Sequence, residues 1–97
     1  MVDLNNLALV AKKNAFKRGK TCQGIFHSKS AADISRELTE FLDASEKELS
    51  EHIPNYTEAA EELVDILITC LTELAKRNVD IEKILMDKIF YNQTRST

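Results

Sequence analysis

Glu61-Glu62-Leu63-Val64-Asp65-Ile66-Leu67 decides how this chain reads, because its pattern has a twin in Arg36-Glu37-Leu38-Thr39-Glu40-Phe41-Leu42. In each copy an acid precedes Leu, a second acid follows three places on, and two large apolar residues close the phrase. Positions i and i+3 share one face of an α-helix. Each copy therefore sets two carboxylates side by side at the edge of an apolar stripe. If the two stripes pack together, Glu37, Glu40, Glu62 and Asp65 converge beside a hydrophobic seam. Anions so placed repel one another and resist ionisation unless a cation joins them. Hard divalent ions such as Mg²⁺ take oxygen ligands of this kind.

Working outward, only two glycines and one proline interrupt the 97 residues, and apolar spacing is helical almost throughout. The spacing predicts a first helix from about Leu4 to Arg18, with Gly19 in a left-handed position beyond its end. A polar loop, Lys20 to Lys29, follows. Ser30 with Asp33 resembles a capping box, opening a second helix expected to reach about Ser50, with Ile34, Leu38, Phe41, Leu42 and Leu49 turned to the core. Pro54 ends the connection, and Thr57 is positioned to cap a third helix reaching about Arg77. Leu63, Ile66, Leu67, Cys70, Leu71 and Leu74 form its broad apolar arc, widened by Val64, Ile68 and Ala75. An arc this wide implies more than one neighbour, across a subunit boundary if need be. Asp80 caps a fourth helix, about Ile81 to Thr94. On it Ile81, Ile84, Leu85 and Ile89 define an inward side that Lys88 and Asn92 share. The expectation is an all-α, four-helix bundle-like subunit, one domain spanning residues 1–97, assembling through helix packing into a homo-oligomer.

Bulk properties narrow the function. A chain of this length buries only somewhat more than ~60% of its unfolded surface, so an isolated core is marginal and self-association would relieve it. With 43% hydrophobic and 30% charged residues it is neither disordered nor membrane-spanning. A formal charge of −3 offers no basic field to nucleic-acid backbones. Cys22 and Cys70 form no Cys-x-x-Cys unit and read as free thiols in a reducing compartment. No basic segment followed by an apolar run opens the chain, so a cytoplasmic location is expected. His27 and His52 are isolated, and no Glu-x-x-His pair occurs, which argues against zinc or di-iron chemistry.

Glu37-x-x-Glu40, Glu62-x-x-Asp65, Val79-Asp80-Ile81-Glu82 and the closing Lys88-x-x-x-Asn92-x-x-Arg95 together resemble the MazG-like nucleotide pyrophosphohydrolases. The likeness covers about Ser30 to Arg95. It implies an all-α fold, a dimer or tetramer, and Mg²⁺-dependent cleavage of nucleoside triphosphates to monophosphate and pyrophosphate. By position it makes Glu37, Glu40, Glu62 and Asp65 the metal-binding and catalytic acids. Lys88, Asn92 and, more weakly, Arg95 become contacts to the nucleotide phosphates. Two departures stand out: Thr69 occupies a place where many members have tyrosine, and Phe26 is the sole aromatic residue near the first loop. Two alternatives remain open, a phosphoribosyl-ATP pyrophosphatase of similar size and motifs, and a helical interaction module without chemistry.

Overall fold

The computed structural model describes residues 2–95 and is all-α. In chain order the helices are α1 (Leu4–Lys17), α2 (His27–Leu42), α3 (Glu58–Lys76) and α4 (Ile81–Thr94), with no strand among the described residues beyond one isolated bridge, Leu49 to Thr57. The chain packs as two compact units, residues 24–70 and a second unit made of residues 1–23 with 71–97, so α3 contributes its last turns to the second.

In the second unit α1 packs against α4. Ala8, Leu71, Ala75 and Ile81 are its buried core, with Leu4, Leu74 and Val79 packed around them. Two of these four are alanines, which permits close approach of the helices and also limits the apolar area buried. The two helices exchange end caps. Asn5 of α1 accepts from the Ile81 amide at 2.7 Å, while Glu82 of α4 accepts from the Leu4 amide at 3.1 Å. Each helix thereby satisfies an orphan amide of the other. Asp80 caps α4 as expected, accepting from the Lys83 amide at 3.2 Å and from the Asn5 side-chain amide at 3.1 Å. Asn5 and Asp80 also line a cleft of about 350 Å³, together with Asn78 and Ile81. Asn5→Ala should cost about 1 kcal/mol, the usual worth of a capping bond, and speed amide exchange at Ile81. Unchanged exchange there would mean that water caps α4 equally well.

Gly19 takes φ +68°, the left-handed turn expected after α1, and Asn78 takes φ +57° after α3, a conformation asparagine tolerates better than most residues. Between them lies a buried charge network. Lys76 Nζ donates to Thr21 Oγ1 at 3.1 Å and pairs with Glu73 at 3.3 Å, and Arg77 closes on the same carboxylate at 2.9 Å. The Lys76 side chain is only 3% exposed and that of Glu73 9%.

In the unit of residues 24–70 the expectations for α2 need correcting. The helix starts three residues earlier than Ser30, after Phe26, and stops at Leu42 instead of Ser50. Ser30 is not a cap: its hydroxyl donates back to the Phe26 carbonyl at 3.1 Å, the i−4 bond open to a serine inside a helix. The far end is cut off by Ser45, whose hydroxyl accepts from the Lys47 and Glu48 amides at 3.1 and 2.9 Å. The Ser45 amide donates to Glu58, and its carbonyl accepts from Ala59. Residues 43–57 thus form a hydrogen-bonded connection that seats the start of α3. Thr57 does cap α3, accepting from Ala60 at 3.1 Å.

The apolar seam is the second correction. Leu38, Leu42 and Leu49, expected in the core, are 55%, 81% and 60% exposed. Leu63, Val64, Leu67 and Ile68 of α3 are exposed as well. In α4 Ile81 is buried, but Ile84, Leu85 and Ile89 are not, and Lys88 and Asn92 are likewise on the surface. Helical spacing marks these sides as apolar, but the single chain leaves them uncovered while it buries the polar Thr72, Glu73 and Lys76. Among the described residues no helix is long and apolar enough to cross a membrane.

Candidate metal centre

The twin acidic phrases lie on different helices of one unit, and their side chains meet. Oxygens of Glu37 and Glu40 on α2 and of Glu62 on α3 lie within 4.8 Å of one another. Glu37 and Glu62 are partly buried and Glu40 is exposed, so the group opens on the Glu40 side. Asp65, one turn beyond Glu62, is outside this set of three but adjoins it. Its charge acts on both Glu62 and Glu37.

The electrostatics are those of crowded anions that Arg36 only partly offsets. Burial pushes the Glu62 carboxyl above its ordinary range, and the charges of Asp65 and Glu40 push it further. Burial likewise raises Glu37, followed by its hydrogen bond to Glu40 and that group's charge, with Arg36 opposing. Glu62 Oε2 is buried and has no hydrogen-bond partner. An orphaned carboxylate oxygen in such a place costs stability unless something satisfies it. A hard divalent cation fits: the donors are all oxygen and converge from two helices, and positive charge would reverse both upward shifts.

Glu37, Glu40 and Glu62, which the acidic spacing set together, do meet, but their neighbours were not foreseen. Asp33, read as half of a capping box, is a buried carboxylate between Lys29 (4.0 Å) and Arg36 (3.3 Å). Arg36 also stands 3.7 Å from Glu37. An arginine directly preceding the first acid was the available signal. The Thr69 hydroxyl, where many relatives were expected to have tyrosine, donates to the Asp65 carbonyl at 2.9 Å. Lys88 lies with its ammonium 4.7 Å from the Tyr91 ring centroid, and Arg95 donates to Asn92 Oδ1 at 3.5 Å.

Beside Glu62, Glu61 has a different occupation. It accepts from Ser50 Oγ at 2.6 Å and meets His52 Nδ1 at 2.9 Å. The Ser50 bond, then the one to His52, lowers the Glu61 carboxyl; the same contact with Glu61 raises His52. The histidine's contribution to stability is complete below its ordinary 6.5 and disappears as pH rises through the raised value. That of Glu61 is complete above 4.5 and disappears as pH falls through the lowered one. In Glu61→Gln the His52 ring should therefore titrate lower, nearer 6.5, when followed by NMR. An unmoved midpoint would dissociate the histidine from this carboxylate.

No curated protein and no solved structure shows significant similarity to the chain. The sequence profile of phosphoribosyl-ATP pyrophosphohydrolase, by contrast, matches residues 2–88, nearly the whole chain and both acidic phrases. With that match over residues 2–88, and with helices alone as regular structure among the described residues, the chain belongs to the phosphoribosyl-ATP pyrophosphohydrolase family, within the MazG-like all-α pyrophosphatases.

Proposed function

We propose that the protein is a Mg²⁺-dependent pyrophosphohydrolase that cleaves a nucleoside triphosphate to the monophosphate and pyrophosphate. The observation that carries this reading is the meeting of Glu37, Glu40 and Glu62 around a buried, partnerless Glu62 oxygen. Glu37, Glu40, Glu62 and Asp65 would hold the cation. When bound, Mg²⁺ would supply charge neutralisation at phosphorus and a more acidic water. Glu40, the exposed member, has the access to solvent that a proton acceptor for an attacking water requires. Glu37 lies beside it on the same face of α2, within the same oxygen cluster. By resemblance, Lys88, Asn92 and Arg95 contact the substrate phosphates. The first two are solvent-exposed side chains on α4 with donors to offer an anion.

Phosphoribosyl-ATP is a second substrate reading, favoured by the family match itself. It too carries a triphosphate, so the same acids would serve. A panel of ribo- and deoxyribonucleoside triphosphates together with phosphoribosyl-ATP, scored for pyrophosphate release, tests both. Release should require Mg²⁺ and stop with EDTA. If no compound yields pyrophosphate with Mg²⁺ or Mn²⁺, the interaction-module reading replaces the enzymatic one.

We also propose that the protein self-associates, as a homodimer or homotetramer. The exposed Leu38, Leu42, Leu63 and Leu67 are apolar area that one chain leaves wet. Light scattering coupled to gel filtration should give a mass of two or four chains, and Leu67→Glu should lower it. A monomer at micromolar concentration would refute self-association.

A further inference from the structure

Residues 24–70 hold eleven carboxylates against three strong bases, Lys29, Arg36 and Lys47. A polyphosphate approaching this unit meets a strongly negative surface. One bound divalent ion offsets only part of the charge of Glu37, Glu40, Glu62 and Asp65, so a further cation at the cluster would be useful to an anionic substrate.

The structure places such a cation. Arg36 directs Nη1 onto Asp33 at 3.3 Å and holds Nη2 at 3.7 Å from Glu37 Oε1. The second distance is too long for a hydrogen bond, so Nη2 is committed to no acceptor by that contact. Asp33 is buried, its side chain 7% exposed, whereas the Arg36 side chain is 48% exposed. A buried carboxylate thus fixes one edge of the guanidinium, and the remainder faces solvent beside the acids. Neutralising Asp33 would not require this arrangement, since Lys29 already approaches it at 4.0 Å. A planar guanidinium with one edge anchored suits recognition of phosphate oxygens with the other.

We propose that Arg36, aimed by Asp33, contacts a phosphate of the substrate at the rim of the acidic cluster. This rests on the pyrophosphohydrolase reading above. Arg36 is then a substrate-binding residue, and Asp33 a positioning residue that acts through it.

The test is calorimetric titration of the full-length protein with Mg²⁺ alone and, separately, with a non-hydrolysable α,β-methylene nucleoside triphosphate in saturating Mg²⁺. Its base is chosen from the best substrate of the panel. Arg36→Gln should weaken binding of the analogue by about tenfold or more, the usual effect of losing a charge-assisted hydrogen bond. Its affinity for Mg²⁺ alone should be unchanged or higher, because a nearby positive charge has gone. Arg36→Lys should recover part of the loss, as a point charge without the fork. Asp33→Asn should weaken the analogue less than Arg36→Gln does, again sparing Mg²⁺; circular dichroism checks that each variant is folded. Analogue binding by Arg36→Gln within twofold of the parent overturns the proposal while leaving the enzymatic reading intact. Parallel loss of Mg²⁺ and analogue affinity also overturns it, because Arg36 would then act on the acids and not on phosphate. A parent protein that shows neither Mg²⁺-dependent turnover nor analogue binding removes the enzymatic reading, and this inference with it.

Discussion

Glu62→Gln should abolish Mg²⁺-dependent pyrophosphate release, lowering kcat/KM by about a hundredfold or more, while raising the Tm of the metal-free protein. The two effects have one cause. Glu62 Oε2 is buried with no partner, and burial together with Asp65 and Glu40 opposes its ionisation. An amide of the same shape removes that charge and so relieves the repulsion. It also removes the anionic donor that a divalent ion needs. Retained turnover in this variant would strike Glu62 from the metal ligands; loss of turnover with a lowered metal-free Tm would show that its role is structural.

The same logic gives a pH dependence. Glu62 and Glu37 have folded-state pKa values above the ordinary 4.5. Their contribution is therefore most favourable below that value, and it is lost as pH rises through the raised ones. Metal-free protein should lose stability over that interval, and saturating Mg²⁺ should abolish or invert the trend by binding the ionised form. Free Mg²⁺ at a hundred times its Kd adds about 2.7 kcal/mol. Thermal melts across pH with and without Mg²⁺ check the sign. In Glu62→Gln the metal-free slope should be shallower.

How far the sequence disclosed this arrangement depended on the kind of signal. The ends of α1, α3 and α4 were legible because Gly19, Thr57 and Asp80 act through their own local geometry. The acidic group was legible because two copies of one spacing, on adjacent helices, have few ways to be arranged. Residues 43–50 were misread as helix because Ser45 alone does not declare a break. Its local bonds to the Lys47 and Glu48 amides are joined by bonds with Glu58 and Ala59, more than a dozen positions away, which the sequence does not reveal. Ser30 was misread as a cap since a serine hydroxyl can serve a following amide or a preceding carbonyl, and here it serves the Phe26 carbonyl. Leu38, Leu42 and Leu67 show another limit. Periodicity says which side of a helix is apolar, not whether one chain has the surface to cover it.

Buried charge was the least legible feature, because lysine and glutamate default to the surface, and Glu73 with Lys76 carries the largest expected effect on folding. Glu73→Ala should destabilise the protein by about 3 kcal/mol or more, since it leaves the ammonium of Lys76, whose side chain is 3% exposed, without its carboxylate. Arg77, which loses the same partner at 2.9 Å, is 30% exposed and can turn to water. Among the described residues Lys76 keeps the Thr21 hydroxyl at 3.1 Å, a neutral acceptor. Replacing both members with apolar residues of similar size, Glu73→Leu with Lys76→Met, removes the stranded charge. It should recover most of the loss, as apolar substitutes for buried ion pairs often do. The cost of the double change is then well below the sum of the singles, a coupling read from urea unfolding of all four proteins. Strict additivity would show that water reaches Lys76 in solution and that the pair is no buried bridge. What the pair contributes beyond stability is a tie. Through Lys76 the Thr21 segment is bonded to the last turns of α3, so Glu73→Ala should also speed amide exchange at residues 20–23, whereas the double apolar variant, which cannot bond Thr21, should keep that exchange fast even with stability restored.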